Sequence, residues 1–229
     1  MRFLTVDVGN SSVDIALWEG KKVKDFLKLS HEEFLKEEFP KLKALGISVK
    51  QSFSEKVRGK IPKIKFLKKE NFPIQVDYKT PETLGTDRVA LAYSAKKFYG
   101  KNVVVISAGT ALVIDLVLEG KFKGGFITLG LGKKLKILSD LAEGIPEFFP
   151  EEVEIFLGRS TRECVLGGAY RESTEFIKST LKLWRKVFKR KFKVVITGGE
   201  GKYFSKFGIY DPLLVHRGMR NLLYLYHRI

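Results

Sequence analysis

Hydrophobic and polar residues follow the same pattern in two segments of the chain, residues 3–21 and 103–121. Each segment has an apolar run, a tight glycine turn, and a second apolar run that ends in Glu-Gly-Lys. The pattern predicts three strands over residues 2–29 and again over residues 102–126. Either unit alone could be only a hairpin. The matched pair indicates an internally duplicated α/β protein in which two glycine turns face each other across a cleft.

Capping residues and helical periodicity predict the elements between and after these units. Ser30 and Glu33 have the spacing of a capping box, which predicts a short helix after the third strand. Pro81 follows Thr80 and predicts the first turn of a helix that ends at Gly100. The other predicted elements are a strand over residues 44–49, short strands in the Lys-rich stretch 62–73, a helix ending at Leu141, a helix over 161–188, a strand over 194–196 and a final helix over 212–227.

Composition limits the class of protein. The chain has 229 residues, of which 44% are hydrophobic, which is enough for one large or two small cores. No stretch approaches the roughly 18 apolar residues of a membrane span, and the N-terminus enters a strand without a signal-like segment, so we expect a cytoplasmic protein with no membrane partner. The single cysteine, Cys164, excludes an intrachain disulfide and predicts a small buried side chain on a helix.

The net charge of +16 raises the question of a polyanionic partner. The densest basic segment is residues 182–193, but Leu183, Trp184, Val187 and Phe188 recur within it at helical spacing. This spacing favours an amphipathic helix with a solvated basic face over a nucleic-acid site. We therefore expect no nucleic-acid partner.

Several segments, in the same order, resemble the motifs of type III pantothenate kinases, members of the actin, sugar-kinase and heat-shock-chaperone superfamily. The most specific is Tyr78-Lys-Thr-Pro-Glu-Thr-Leu-Gly-Thr-Asp-Arg88, and Asp7-Val-Gly-Asn-Ser11 resembles the phosphate motif of the family. The other matching segments are residues 107–115, 124–130, 158–161 and 197–199. The resemblance implies duplicated ribonuclease-H-like (actin-like ATPase) domains, each a mixed sheet flanked by helices. Residues 1–101 would form the half with the first phosphate loop and the pantothenate segment, and residues 102–229 the half with the second loop and a dimer helix.

The resemblance also implies an activity, the ATP-dependent phosphorylation of pantothenate in the first step of coenzyme A biosynthesis. It makes Asp87 the general base and Arg88 the partner of the substrate carboxylate. The implied ATP and phosphate residues are Asp7, Val8, Gly9, Asn10, Ser11, Ser12, Val13, Asp14, Gly109, Thr110, Gly198 and Gly199. The implied pantothenate residues are Tyr78, Gly85, Thr86, Asp87, Arg88 and Thr161. Asp7 would hold Mg²⁺ through water, because that ion keeps much of its hydration shell. Thr161 would reach the substrate of a neighbouring subunit, which implies a homodimer with shared active sites, and it is also a possible N-cap.

One departure from the family pattern bears on cofactors, because Ser107 stands where the family has an aspartate that binds a monovalent cation. A neutral oxygen holds potassium or ammonium less strongly than a carboxylate does, and Asp115 either compensates for it or does not, so the resemblance leaves the requirement for a monovalent cation open.

Other interpretations also stay open at this point. Asp7 could be a turn residue, and Asp87 with Arg88 could be an ordinary helix start. Another phosphotransferase or phosphohydrolase of the superfamily, or a non-catalytic nucleic-acid-binding regulator, would also fit the duplicated pattern.

Overall fold

The computed structural model describes residues 1–226, which form two compact units. The first comprises Met1–Lys97 and the chain from Leu213 onward, and the second is Phe98–Pro212. The strands are β1 (Arg2–Val8), β2 (Ser12–Glu19), β3 (Lys22–Ser30), β4 (Ala44–Ser48), β5 (Ile64–Phe66), β6 (Gln75–Val76), β7 (Val103–Ala108), β8 (Ala111–Leu118), β9 (Lys121–Leu129), β10 (Lys193–Thr197) and β11 (Ile209–Tyr210). The helices are α1 (His31–Lys36), α2 (Gln51–Lys60), α3 (Thr86–Tyr99), α4 (Leu131–Leu141), α5 (Thr161–Phe188) and α6 (Leu214–Tyr226). Short 3₁₀ helices cover Lys69–Asn71, Pro81–Thr83 and Gly201–Phe207.

The first unit is built on a mixed sheet with the strand order β3-β2-β1-β4-β5. β1 pairs antiparallel with β2 and parallel with β4, so it lies at the centre of the sheet. Leu4, Val6 and Val8 of β1 alternate onto one face and pack with Phe34 of α1 and Phe53 of α2. α6 contacts β1 and β4. The sheet therefore carries helices, as the resemblance implied.

The second unit repeats this topology. Its strands run in the order β11-β10-β7-β8-β9, with β7 antiparallel to β8 and parallel to β10. Ile106, Leu112 and Ile114 form a core with residues of α4 and α5, including Leu135 and Ile177. The two sheets have the same strand order and directions once β1–β5 are matched to β7, β8, β9, β10 and β11. The predicted duplication and mixed-sheet fold are confirmed.

Several local predictions differ from the structure. The capping box of Ser30 and Glu33 is present, but Pro81 starts only a 3₁₀ turn, and α3 begins at Thr86. α2 was not predicted. The predicted C-terminal half includes the last helix, whereas the contacts of this helix with β1 and β4 group it with the first unit. His227, the predicted last residue of that helix, lies outside the described residues.

Surface predictions in the second unit also need correction. Ser160, not Thr161, is the N-cap of α5, because its side chain accepts the Glu163 N–H at 3.3 Å. Cys164, in the first turn of α5, is exposed rather than buried. Trp184 is buried, but Leu183 and Val187 of the same helix are exposed. In the described part of the chain, no helix combines the length and hydrophobicity that crossing a membrane requires.

A buried polar cluster ties α6 to the sheet of the first unit. Thr5 Oγ1 accepts the indole N–H of Trp18 at 2.8 Å and lies 2.8 Å from Nδ1 of His216, a buried residue of α6. The ring of Phe26 packs edge-on against the imidazole at 5.5 Å. Burial lowers the pKa of His216 to about 4, below its usual 6.5, because the charged form is poorly solvated there.

We predict that His216 makes the fold sensitive to acid. Between pH 6.5 and about 4 the unfolded chain binds a proton at this residue and the native state does not, so the free energy of unfolding should fall as pH falls through that window. Urea unfolding of the wild type and of His216→Gln at about pH 7, 6, 5 and 4.5 measures the difference. The wild type should lose more stability than the variant, and parallel pH curves would contradict the assignment.

Candidate active site

Polar side chains meet where β1 ends and β2 begins. Asp7 lies opposite Asp14 in the antiparallel register of these strands, so the two carboxylates share one face of the sheet. Lys28 of β3 lies opposite Asp14 and donates to both of its oxygens at 2.8 Å. Ser12 donates to Asp14 at 3.1 Å. The glycine turn, residues 9–12, therefore lies beside the pair Asp7 and Asp14, and Lys28 is bonded to Asp14.

The carboxyl of Asp7 is held in an unfavourable environment for a negative charge. Burial, and after it the negative charges of Asp14 and Asp87, raise the pKa of Asp7 from 3.8 to about 8, against an opposing effect of Lys28. The contribution of Asp87 means that the structure brings the two aspartates of the separate motifs into one electrostatic neighbourhood. A perturbed group of this kind is typical of functional sites.

Asp87 stands in the first turn of α3, and its side chain lies against Gly85, two residues earlier in the chain. A Cβ on Gly85 would overlap the Asp87 Oδ1 atom, so only glycine lets the carboxylate fold back over this position. Burial raises the pKa of Asp87, and the backbone N–H groups of Arg88 and Asp87, with the Arg88 charge, partly offset the rise. The carboxyl is therefore both fixed in direction and more basic than an ordinary aspartate.

Tyr78 and Arg88 also come together. The Arg88 guanidinium lies 5.8 Å from the centre of the Tyr78 ring, within the range of a cation–π contact, and the arginine is buried. Thr86 is the first residue of α3. The predicted residues Tyr78, Gly85, Thr86, Asp87 and Arg88 thus surround the start of one helix.

Two residues that the sequence analysis did not select contact the first glycine turn, which we call loop 1 (residues 9–12). His31 Nε2 lies 3.1 Å from the Gly9 carbonyl, and the Lys50 ammonium lies 3.4 Å from the Asn10 carbonyl. Lys50 Nζ is also 3.1 Å from His31 Nδ1. No local spacing in the sequence links these residues to loop 1.

The second unit has a corresponding turn, which we call loop 2 (residues 109–111). The Gly109 N–H donates to the Ala111 carbonyl at 3.0 Å, and the Gly130 N–H donates to the Thr110 carbonyl at 3.0 Å. Gly198 has a positive φ of 87° and a Cβ there would overlap the Ala108 carbonyl, so the turn at residues 198–199 lies directly against the end of β7. Gly109, Thr110, Gly198 and Gly199 therefore lie in one region of this unit.

Glu200 is a further residue that the sequence analysis missed. Its carboxylate accepts the N–H groups of Leu131 at 2.9 Å and Gly132 at 3.0 Å, so it caps the start of α4. Burial raises the pKa of Glu200, and these two hydrogen bonds oppose the rise. An acid directly after the predicted glycine pair was the only sequence signal for it.

The remaining predicted positions of the second unit are more dispersed. Ser107 is the residue before the last of β7 and lies opposite Val113, while the buried Asp115 lies opposite Val105 on the same face. Thr161 is the exposed first residue of α5. Ser107 therefore has a carboxylate two positions away across the hairpin, but no carboxylate directly opposite.

The donor set of the first unit fits a hydrated divalent cation. Among residues 1–226, no three His, Cys, Asp or Glu side chains are grouped as a metal cage. Mg²⁺ is commonly held by one or two carboxylates and its own waters, and at Asp7 the effects of burial and of the Asp14 and Asp87 charges outweigh that of the Lys28 charge. A single carboxyl group such as that of Asp7 fits a Mg²⁺ ion that keeps its water ligands and enters the site bound to substrate phosphates.

Comparisons with known proteins give a consistent picture. A model of the type III pantothenate kinase family matches residues 3–183. The type III pantothenate kinase of Persephonella marina is 31% identical over 183 residues, which cover 77% of this chain and 70% of the relative. The enzyme of the same name from Azobacteroides pseudotrichonymphae is 30% identical over 241 residues, or 96% of each chain.

Solved structures agree on the fold. A protein described as a Baf family transcriptional activator from Campylobacter jejuni has a TM-score of 0.72 at 23% identity, over 99% of this chain and 100% of its own. An activator of 2-hydroxyisocaproyl-CoA dehydratase from Clostridium difficile, with bound ADPNP, has a TM-score of 0.57 at 11% identity, over 100% of this chain and 98% of its own. These likenesses show the actin-like ATPase fold. The chain belongs to the type III pantothenate kinase family.

Proposed function

We propose that the protein transfers the γ-phosphoryl group of ATP to the terminal hydroxyl of pantothenate and so supplies the first intermediate of coenzyme A biosynthesis. The observation that carries the proposal is the neighbourhood of Asp7 and Asp87 in the first unit, with Tyr78 and Arg88 beside the second aspartate. Family membership gives the substrate class, and these residues give the chemistry.

Asp87 is proposed as the general base. In the transfer, the substrate oxygen forms a bond to the γ-phosphorus, the bond from that phosphorus to the β,γ-bridging oxygen breaks, and ADP leaves. The hydroxyl proton passes to Asp87, whose raised pKa makes it a better acceptor than an ordinary carboxylate. Arg88, fixed against Tyr78, is suited to bind the carboxylate of pantothenate by a forked contact. Gly85 and Thr86 are proposed to complete the pantothenate pocket.

ATP binding is assigned to residues of both units. In the first, the proposed residues are Asp7, Val8, Gly9, Asn10, Ser11, Ser12, Val13 and Asp14; in the second, they are Gly109, Thr110, Gly198 and Gly199. Glycine turns suit this task because their backbone N–H groups can approach phosphate oxygens closely. Asp7 is proposed to hold Mg²⁺ through water, and the bound ion would neutralise charge on the phosphates.

A homodimer is also proposed, with Thr161 reaching the partner's substrate. The exposed position of Thr161 and the exposed apolar side chains Phe126, Ile127, Leu183 and Val187 of the second unit support an interface there. A potassium or ammonium requirement is not part of the proposal, because Ser107 replaces the family's aspartate. A cytoplasmic location stays a prediction.

A substrate panel tests the proposed function. Purified protein is incubated with ATP, MgCl₂ and, separately, pantothenate, other hydroxy acids, sugars, polyphosphate and water, with and without KCl. We expect phosphate transfer to pantothenate alone, loss of turnover on chelation of the metal, and little dependence on potassium. Transfer to another acceptor, or ATP hydrolysis without an acceptor, would identify a different phosphotransferase or a phosphohydrolase.

Replacing the proposed base should stop the chemistry and spare nucleotide binding. Asp87→Asn removes the proton acceptor, so kcat should fall by about 10³-fold, within the usual range for a general base. Affinity for an ATP analogue, measured by calorimetry, should stay close to that of the wild type. Asp25→Asn, at an exposed acid of β3, is the control and should keep full activity. Normal turnover in Asp87→Asn would remove Asp87 from its assigned role.

Gly85 should matter because it determines where the Asp87 carboxylate points. Gly85→Ala places a methyl group against Asp87 Oδ1, so the carboxylate must move, and we expect kcat to fall about tenfold, since small misplacements of catalytic groups are costly. Gly59→Ala in α2 is the matched control, because nothing lies within 4 Å of a Cβ there. It should leave activity unchanged and raise the free energy of unfolding by about 0.5–1 kcal/mol. Equal activity in the two variants would contradict the role of Gly85.

A further inference from the structure

We infer that His31 and Lys50 are positioning residues that orient the peptide groups of loop 1 for phosphate binding. The inference rests on the proposed function, because it deepens the assignment of loop 1 to the phosphates of ATP. The side chains come from two separate elements, the first turn of α1 and the residue that precedes α2.

The chemistry of the two side chains determines which atom donates in each contact. An ammonium group has only donors, so Lys50 Nζ donates to His31 Nδ1 at 3.1 Å and to the Asn10 carbonyl at 3.4 Å. The imidazole then carries its proton on Nε2, which donates to the Gly9 carbonyl at 3.1 Å. Both consecutive carbonyls of loop 1 are thus held by side-chain donors.

Holding these carbonyls also directs the neighbouring N–H groups. In a planar trans peptide the C=O and N–H bonds point in opposite directions. Fixing the Gly9 carbonyl therefore directs the Asn10 N–H away from His31, and fixing the Asn10 carbonyl directs the Ser11 N–H away from Lys50. The bonds also keep two partly negative oxygens from turning toward an anionic ligand. A loop oriented in this way needs less reorganisation when a phosphate binds.

Both donors are themselves held in place. The His31 ring stacks on the buried Phe53 ring, with centroids 4.2 Å apart and planes at 26°. The Lys50 N–H donates to Ser48 Oγ at 3.2 Å, and the Ser54 hydroxyl lies 2.8 Å from Ser48 Oγ and 3.3 Å from the Lys50 carbonyl. The Val49 N–H donates to the Val8 carbonyl at 3.1 Å, which ties this segment to the strand that leads into loop 1. Such support distinguishes Lys50 from a freely solvated lysine.

The test compares nucleotide affinity in His31→Phe, His31→Gln, Lys50→Met and Lys50→Arg, using calorimetry with magnesium and a non-hydrolysable ATP analogue. His31→Phe keeps the packing on Phe53 but loses both hydrogen bonds, so its affinity for the analogue should fall about tenfold. Lys50→Met loses the bonds of the ammonium group, and its affinity should fall by a similar factor. His31→Gln and Lys50→Arg keep a donor and should stay within about threefold of the wild type. Lys60→Met is the matched control, since Lys60 also donates to a backbone carbonyl, that of Glu37, at the far end of α2.

Kinetics and thermal unfolding separate positioning from a general structural effect. The KM for ATP should rise in His31→Phe and Lys50→Met, while the KM for pantothenate and Tm stay near those of the wild type and of Lys60→Met. Unchanged affinity for the analogue in both variants would overturn the inference. An equal loss of affinity in Lys60→Met would do the same. So would a loss of affinity that comes with a comparable rise in both KM values and a fall in Tm. If the wild type binds the analogue but phosphorylates no pantothenate, the proposed function fails while the affinity series still decides the role of His31 and Lys50. A wild type that does not bind the analogue would overturn both.

Discussion

The electrostatics of the candidate site in the first unit are dominated by a buried carboxyl, that of Asp7, near the end of the central strand. Its environment combines low solvation with the negative charges of Asp14 and Asp87, and Lys28 offsets only part of this effect. Such an arrangement destabilises the ionised form unless a cation is close. β1 can carry the group because its other face packs a dense apolar core, and because β2 and β4 hold the strand on both sides. The stability of the sheet thus supports a locally unfavourable site.

Much of the fold could be predicted because its signals are local. Alternating apolar positions and glycine turns predicted the two three-strand units, and the spacing of Ser30 and Glu33 predicted the start of α1. α2 escaped prediction because only Phe53, Ser54 and Val57 of its ten residues are buried and no side chain caps its start. The partnership of α6 with the first unit could not be predicted from local pattern either, since it depends on contacts between distant parts of the chain.

The candidate site divides in the same way. Asp7, Tyr78, Asp87 and Arg88 belong to contiguous motifs, so a sequence resemblance could select them. His31, Lys50 and Glu200 reach their partners across 22, 40 and 68 or 69 residues of chain, and each bonds a backbone group rather than another side chain of a motif. Such contacts leave no spacing to recognise, because backbone atoms are the same at every position. Residues that orient a loop are therefore harder to predict than those that contact a ligand.

The two matched hairpins have also diverged in charge. In the first, the pair Val8 and Val13 closes on residues 9–12, and Asp7 and Asp14 come directly opposite each other. In the second, Ala108 and Leu112 close on residues 109–111, so the turn is tighter, and Ser107 lies opposite Val113. In this register Asp115, which shares the face of Ser107, lies opposite Val105. The second hairpin thus has a threonine hydroxyl in its turn, which suits an anion, whereas the directly opposed pair of carboxylates, which suits a cation, occurs in the first hairpin and not in the second.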